Sequence, residues 1–180
     1  MKHLIAVIFT LAPLLVLGQE SPEAKQVREA LLPLPELLRD GATVVLDVSP
    51  GKRVILRKGG NGLICRANST KSMFDVHCHT QELDAFYTRF AQLAFEGKSN
   101  SEIRDIANAE VTSGKLKSPP VGATVYEMSG DSSESSLPLV AIYVPYATSN
   151  STGLSTERDH YRPWLMWAGT AFAHVMIPGK

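Results

Sequence analysis

The sequence predicts an α+β fold built on a mainly antiparallel sheet of about six strands. Three observations predict it. β-branched runs flank a Pro-Gly turn and a Gly-Thr turn, as hairpins require. One stretch carries a continuous apolar face at helical spacing, with a shorter helix after it. Strand patterns outnumber helical ones along the chain as a whole.

Met1-Lys2-His3 is a short basic start, followed by an apolar run from Leu4 to Leu17. Small Val16 and Gly18 precede polar Gln19-Glu20-Ser21, which is the layout of a secretory signal cleaved after Gly18. The run, about fourteen residues with Pro13 inside it, is too short for a comfortable bilayer span. The expected division is a signal peptide over 1–18, an N-terminal helical segment over 19–40 and a single α+β domain over 41–180.

Ser21-Pro22-Glu23 opens the first helix with a hydroxyl cap, a proline at the first helical position and an acid near the positive end of the dipole. Pro33 and Pro35 stop it, and Glu36 to Arg39 adds one more helical turn. Ala42 to Asp47 and Arg53 to Lys58 flank Ser49-Pro50-Gly51-Lys52 as a hairpin. Gly59-Gly60-Asn61-Gly62 turns the chain into a third strand, Leu63 to Arg66.

Thr80 is the expected cap of an amphipathic helix over about 81–96, where Leu83, Phe86, Tyr87, Phe90, Leu93 and Ala94 share one face. Gly97 stands where its C-terminal cap belongs, and Ser99-Asn100-Ser101-Glu102 is a capping box for the shorter helix. Ala123 to Met128 and Leu139 to Val144 read as strands, the second apolar enough to lie inside the sheet. Trp164 to Ala168 and Phe172 to Ile177 close the domain as a hairpin about Gly169-Thr170. Ala147 to Arg162 is a long polar loop, and loops of such length inside a domain are functional or mobile.

Once Lys2 is removed with the leader, 17 basic residues face 18 acidic ones, a net charge of −1. That balance gives no footprint for nucleic acid or for an anionic membrane, and no second apolar run is long enough to span one. No nucleophile elbow, zinc-protease helix, phosphate loop or complete dinucleotide fingerprint is present, so no cofactor is expected. Cys65 and Cys78 are the only cysteines, and in an exported chain they are expected to be bonded.

Three sets of residues are candidates for chemistry. His77 and His79 fall on one face of an extended segment, as two metal ligands would, though they make only half a site. His174 shares a strand face with Phe172 and Met176 and is the candidate catalytic residue, a general base. Asp159, His160 and Tyr161 are candidate ligand contacts on the long loop, and 147–162 is the expected seat of a small-molecule or protein partner.

Asp40-Gly41-Ala42-Thr43-Val44, Gly60-Asn61-Gly62-x-x-Cys65 and the run P-W-x-M-W-x-G-T-x-x-A-H-x-M-x-P over 163–178 resemble a family of uncharacterised exported bacterial proteins. The similarity covers most of residues 39–180, and the terminal run is its specific part. It implies a bacterial exported domain, periplasmic or extracellular, with His174 on the family's Ala-His pair, and it assigns no activity. Leu63 stands where members carry an aromatic, and His77 and His79 do not match the family's second cysteine segment. The expected function is an exported soluble domain acting as a non-enzymatic binding or envelope-interaction module. The alternatives are a small exported hydrolase using His174, or a metal-binding module using His77 and His79.

Overall fold

The computed structural model describes residues 20–68 and 73–179; the expected signal peptide lies outside the described residues. Eight strands are found among them: β1 (Thr43–Ser49), β2 (Lys52–Arg57), β3 (Leu63–Arg66), β4 (Phe74–Thr80), β5 (Thr124–Gly130), β6 (Leu139–Tyr143), β7 (Trp164–Met166) and β8 (His174–Pro178). They form one sheet in the order β2-β1-β3-β4-β5-β6-β8-β7. Helices α1 (Pro22–Ala30) and α2 (Glu36–Arg39) precede it, α3 (Asp84–Phe95) and α4 (Asn100–Thr112) connect β4 to β5, and the short α5 (Ser149–Thr152) lies in the long polar loop. No helix among the described residues is long and apolar enough to cross a membrane.

The fold is α+β, but the expected sheet of about six strands is corrected in number and in direction. β4 is a full strand, with Phe74, Val76 and Cys78 alternating against Asp75, His77 and His79. On its polar side Asp75 is exposed but His77 and His79 lie under Tyr87 of α3, so the alternation does not read as apolar-in and polar-out. β1 and β3 run parallel while the other neighbours run antiparallel. β2 occupies one side of β1, so β3, returning in the β1 direction, takes the free side.

The glycine run between β2 and β3 makes that crossing possible. The amides of Gly60 and Asn61 both donate to the Gly41 carbonyl, and Asn61 Nδ2 donates to the Leu38 carbonyl at 2.8 Å. A side chain at Gly59 would run into the backbone of Gly41 and Ala42. Close backbone packing accounts for the run.

The sheet is covered on both faces. Leu83 and Phe86 from the α3 side, with Ala107 and Val111 of α4, pack on Val125, Ala141, Tyr143, Phe172 and Met176. On the other face Ala30, Leu31 and Leu34 pack on Val44, Cys65 and Cys78. Burying a leucine such as Leu34 or Leu83 stabilises the fold by about 1.5–3 kcal/mol. Cys65 and Cys78 sit directly opposite one another on β3 and β4 and are disulfide-bonded.

Several helix ends follow local chemistry, and the start expected at Thr80 does not. Ser21 accepts from the Ala24 amide, and Ser99 with Glu102 completes both halves of a capping box. Gly97, at φ +80°, closes α3, with the Lys98 amide donating to the Leu93 carbonyl at 3.1 Å. Thr80 caps nothing with its side chain, and a 3-10 turn over Gln81–Leu83 leads into α3 instead. The reason is register: Thr80 is still paired with Leu63, so its side chain points away from the helix side of the sheet. α4 spans 13 residues, and the helical run from Gln81 through Phe95, the 3-10 turn included, is the longer of the two.

A polar cleft between the first hairpin and the third helix

Strand alternation sets a row of polar side chains on the face that α3 covers. Arg53 pairs with Asp47, Arg66 with His77, and His77 with Glu127 across successive strands. The helix answers with Asp84, Tyr87 and Thr88, which its i, i+3, i+4 spacing brings to the same side.

Asp47, Arg53, Arg66, His79, Asp84 and Thr88 bond into one network. Arg53 Nε donates to Asp47 Oδ1 at 3.2 Å, its Nη1 to both Asp84 oxygens at 2.9 Å, and its Nη2 to Thr88 Oγ1 at 2.6 Å. Arg66 donates from Nη1 to Asp47, and from Nη2 to Asp84 Oδ1 at 3.3 Å and Thr88 Oγ1 at 3.0 Å. His79 Nε2 lies 3.4 Å from Asp84 Oδ1. Arg66 is 5% exposed and His79 fully buried, so this is the buried wall of the site. Two guanidiniums and two carboxylates cancel in charge.

Burial works to raise the Asp84 pKa, but hydrogen bonds from His79 and Arg53, with the charges of Arg53 and Arg66, outweigh it and hold the carboxyl well below its usual range. Burial lowers the His79 pKa against the opposing bond to Asp84, and burial lowers that of His77 further, helped by His79 and Arg66. Both rings are therefore neutral near pH 7. The Tyr87 ring covers them, with centroids 4.7 Å from His79 and 4.4 Å from His77. His77 Nε2, His79 Nδ1, Arg66 Nε and Thr80 Oγ1 are buried without a hydrogen-bond partner.

In front of the wall opens a cleft of about 290 Å³, bounded by Asp47, Ser49, Arg53, Asp84, Thr88 and Gln92, with Gly51 and Ala91 completing it. Gln92 Oε1 accepts from Arg89 Nη1 at 3.5 Å, which turns its amide nitrogen toward the hairpin. A Cβ built on Gly51 would lie 3.5 Å from Gln92 Nε2, so the glycine keeps the mouth open. Gly51 also has φ +69°, a conformation that side chains resist.

The candidates read from the sequence lie elsewhere or play other parts. His77 and His79 flank the network, with ring centroids 5.6 Å apart. Among the described residues no three His, Cys, Asp or Glu side chains gather as a metal would need, and Arg66 stands beside the pair. His174 is buried in β8, with Nδ1 2.7 Å from the Phe172 carbonyl and its ring 4.9 Å from Trp167 and 5.2 Å from Tyr143. Burial lowers its pKa, against the pull of that carbonyl.

Asp159 Oδ1 accepts from the amides of Tyr161 at 2.8 Å and Arg162 at 3.1 Å, while its Oδ2 accepts from Arg162 Nε at 2.9 Å. That carboxylate organises a local turn, and Tyr161 and His160 are exposed. The 147–162 loop leads into β7, the edge strand at the opposite end of the sheet from β2.

Asp47, Arg53, Arg66, Asp84, Thr88 and Gln92 escaped the sequence reading. For the strand members the signal is a charged residue inside an otherwise apolar run, as in Arg66 after Ile64-Cys65. It carries meaning only once the covered face is known. No family model, curated protein or solved structure matches the chain.

Proposed function

We propose that this chain is an exported, non-enzymatic binding module, with its ligand site in the cleft between the β1–β2 hairpin and α3. The observation that carries the reading is the locked wall of Asp47, Arg53, Asp84 and Thr88. Each of these side chains is held by at least two hydrogen bonds to another member of the wall or to Arg66. A preorganised polar wall loses little side-chain entropy when a ligand arrives.

The same wall is ill suited to catalysis. Thr88 Oγ1 accepts two guanidinium bonds, which make it a poor nucleophile, and Asp84 is too acidic to serve as a base at neutral pH. His174 has no hydrogen-bonded acid or hydroxyl side chain among the described residues. No cofactor is proposed.

Export is supported by the leader over 1–18, by the Cys65–Cys78 bridge, which suits an oxidising compartment, and by the resemblance to exported bacterial proteins. The reading places the domain in the periplasm or outside the cell. The test is a thermal-shift screen of the processed protein against sugars, nucleotides, peptides and metal ions, since a ligand at 100 times its dissociation constant adds about 2.7 kcal/mol. A stabilising ligand whose effect disappears in Gln92→Ala supports the cleft. One whose effect survives Gln92→Ala and Ser49→Ala places binding elsewhere, and a screen flat throughout overturns the reading.

A further inference from the structure

Resting on that reading, we propose that the cleft selects an uncharged, hydrogen-bonding ligand with a single ring or short chain, a neutral sugar or polyol, over ions and zwitterions. The wall's charges are already satisfied by one another. An anion approaching Arg53 meets Asp47 and Asp84 bonded to the same guanidinium, and a cation approaching Asp84 meets Arg53 and Arg66. A charged ligand would have to displace a formed ion pair and leave its partner uncompensated in a partly buried setting.

What the network leaves over is capacity for neutral hydrogen bonds. Asp47 Oδ1 and Asp84 Oδ2 each accept from one arginine alone, so each keeps a lone pair. Thr88 Oγ1 accepts twice and retains its own proton to donate. Gln92 Nε2, one helical turn beyond Thr88, adds a donor, and the Ser49 hydroxyl both donates and accepts. The cleft thus offers both acceptors and donors, which hydroxyl groups complement, each being donor and acceptor at once. The volume of about 290 Å³ lies at the small end of ligand sites and limits the occupant to a small molecule.

The experiment titrates the processed protein with glucose, galactose, N-acetylglucosamine and ribitol, and in parallel with inorganic phosphate, glycine and magnesium chloride, following melting temperature and heat of binding. At least one neutral probe should raise the melting temperature in a concentration-dependent way, and Gln92→Ala should weaken its binding by about tenfold. Phosphate, glycine and magnesium should leave the melting temperature unmoved. A charged probe that binds and is lost in Gln92→Ala overturns the ligand class while leaving the cleft as the binding site. Neutral probes that do not bind, or that bind equally to Gln92→Ala and Ser49→Ala, overturn the inference. Whether the cleft binds anything is then decided by the broader screen.

Discussion

Arg53 and Asp84 are 31 residues apart in the chain, yet Arg53 Nη1 lies 2.9 Å from both oxygens of the Asp84 carboxylate. That contact ties the first hairpin to the first turn of α3 and forms one wall of the cleft. Arg66, from the next strand but one, reaches the same carboxylate from behind. The two arginines share their acceptors but differ in exposure, with side chains 22% and 6% accessible.

That difference orders two substitutions. Arg66→Ala should destabilise the protein by about 3–5 kcal/mol, because it leaves Asp47 and Asp84 short of a buried partner. Arg53→Ala should cost less, since water replaces part of the lost contact. Urea unfolding of both variants checks the order. Equal losses would mean that burial does not govern the network.

Glu127, opposite His77 on β5, predicts a pH dependence. Burial, helped by the Asp75 charge and opposed by Arg158, pushes its pKa up from 4.5 to about 7. The folded state therefore holds a proton that the unfolded state has released between these values, and Glu127 makes stability fall as pH rises through that window. Glu127→Gln should be more stable than the parent at pH 8 by about 1–3 kcal/mol, with the gap closing toward pH 4. A gap that stays constant with pH would show that Glu127 keeps an ordinary pKa.

Breaking the disulfide should affect stability and leave the cleft alone. Cys65 and Cys78 face α1 and α2, whereas Arg66 and His77, their immediate neighbours, face α3. The paired change Cys65→Ala and Cys78→Ala opens a loop of about 13 residues and should cost ~3 kcal/mol. Ligand affinity at the cleft should remain within a few-fold of the parent, measured below the variant's melting range. Loss of affinity in a folded variant would show that the bridge positions Arg66.

His174→Ala should destabilise by ~1–3 kcal/mol, through the orphaned Phe172 carbonyl and the packing lost against Trp167 and Tyr143. The measurement is a thermal or urea unfolding curve beside the parent. An unchanged or higher melting temperature would identify a residue held against stability, the mark of a functional side chain.

The sequence by itself determined the elements whose instructions are local. The Ser49-Pro50-Gly51-Lys52 turn, the Ser99–Glu102 box and the apolar stripe of Leu83, Phe86 and Leu93 act within a few residues, and each stands where its pattern puts it. The closing pair of Trp164 with Met176 follows the same logic. Tertiary structure decided the rest. Periodicity tells which residues of β4 share a face, but not that α3 covers the face carrying His77 and His79. Thr80 looked like a cap and became the end of a strand because its pairing with Leu63 held it in the sheet. The cleft depends on β2 and β3 flanking β1, which brings Arg53, Asp47 and Arg66 side by side and under Asp84. Such contacts are set by strand order and by the helix that crosses it, and no local pattern encodes a pairing across 31 residues.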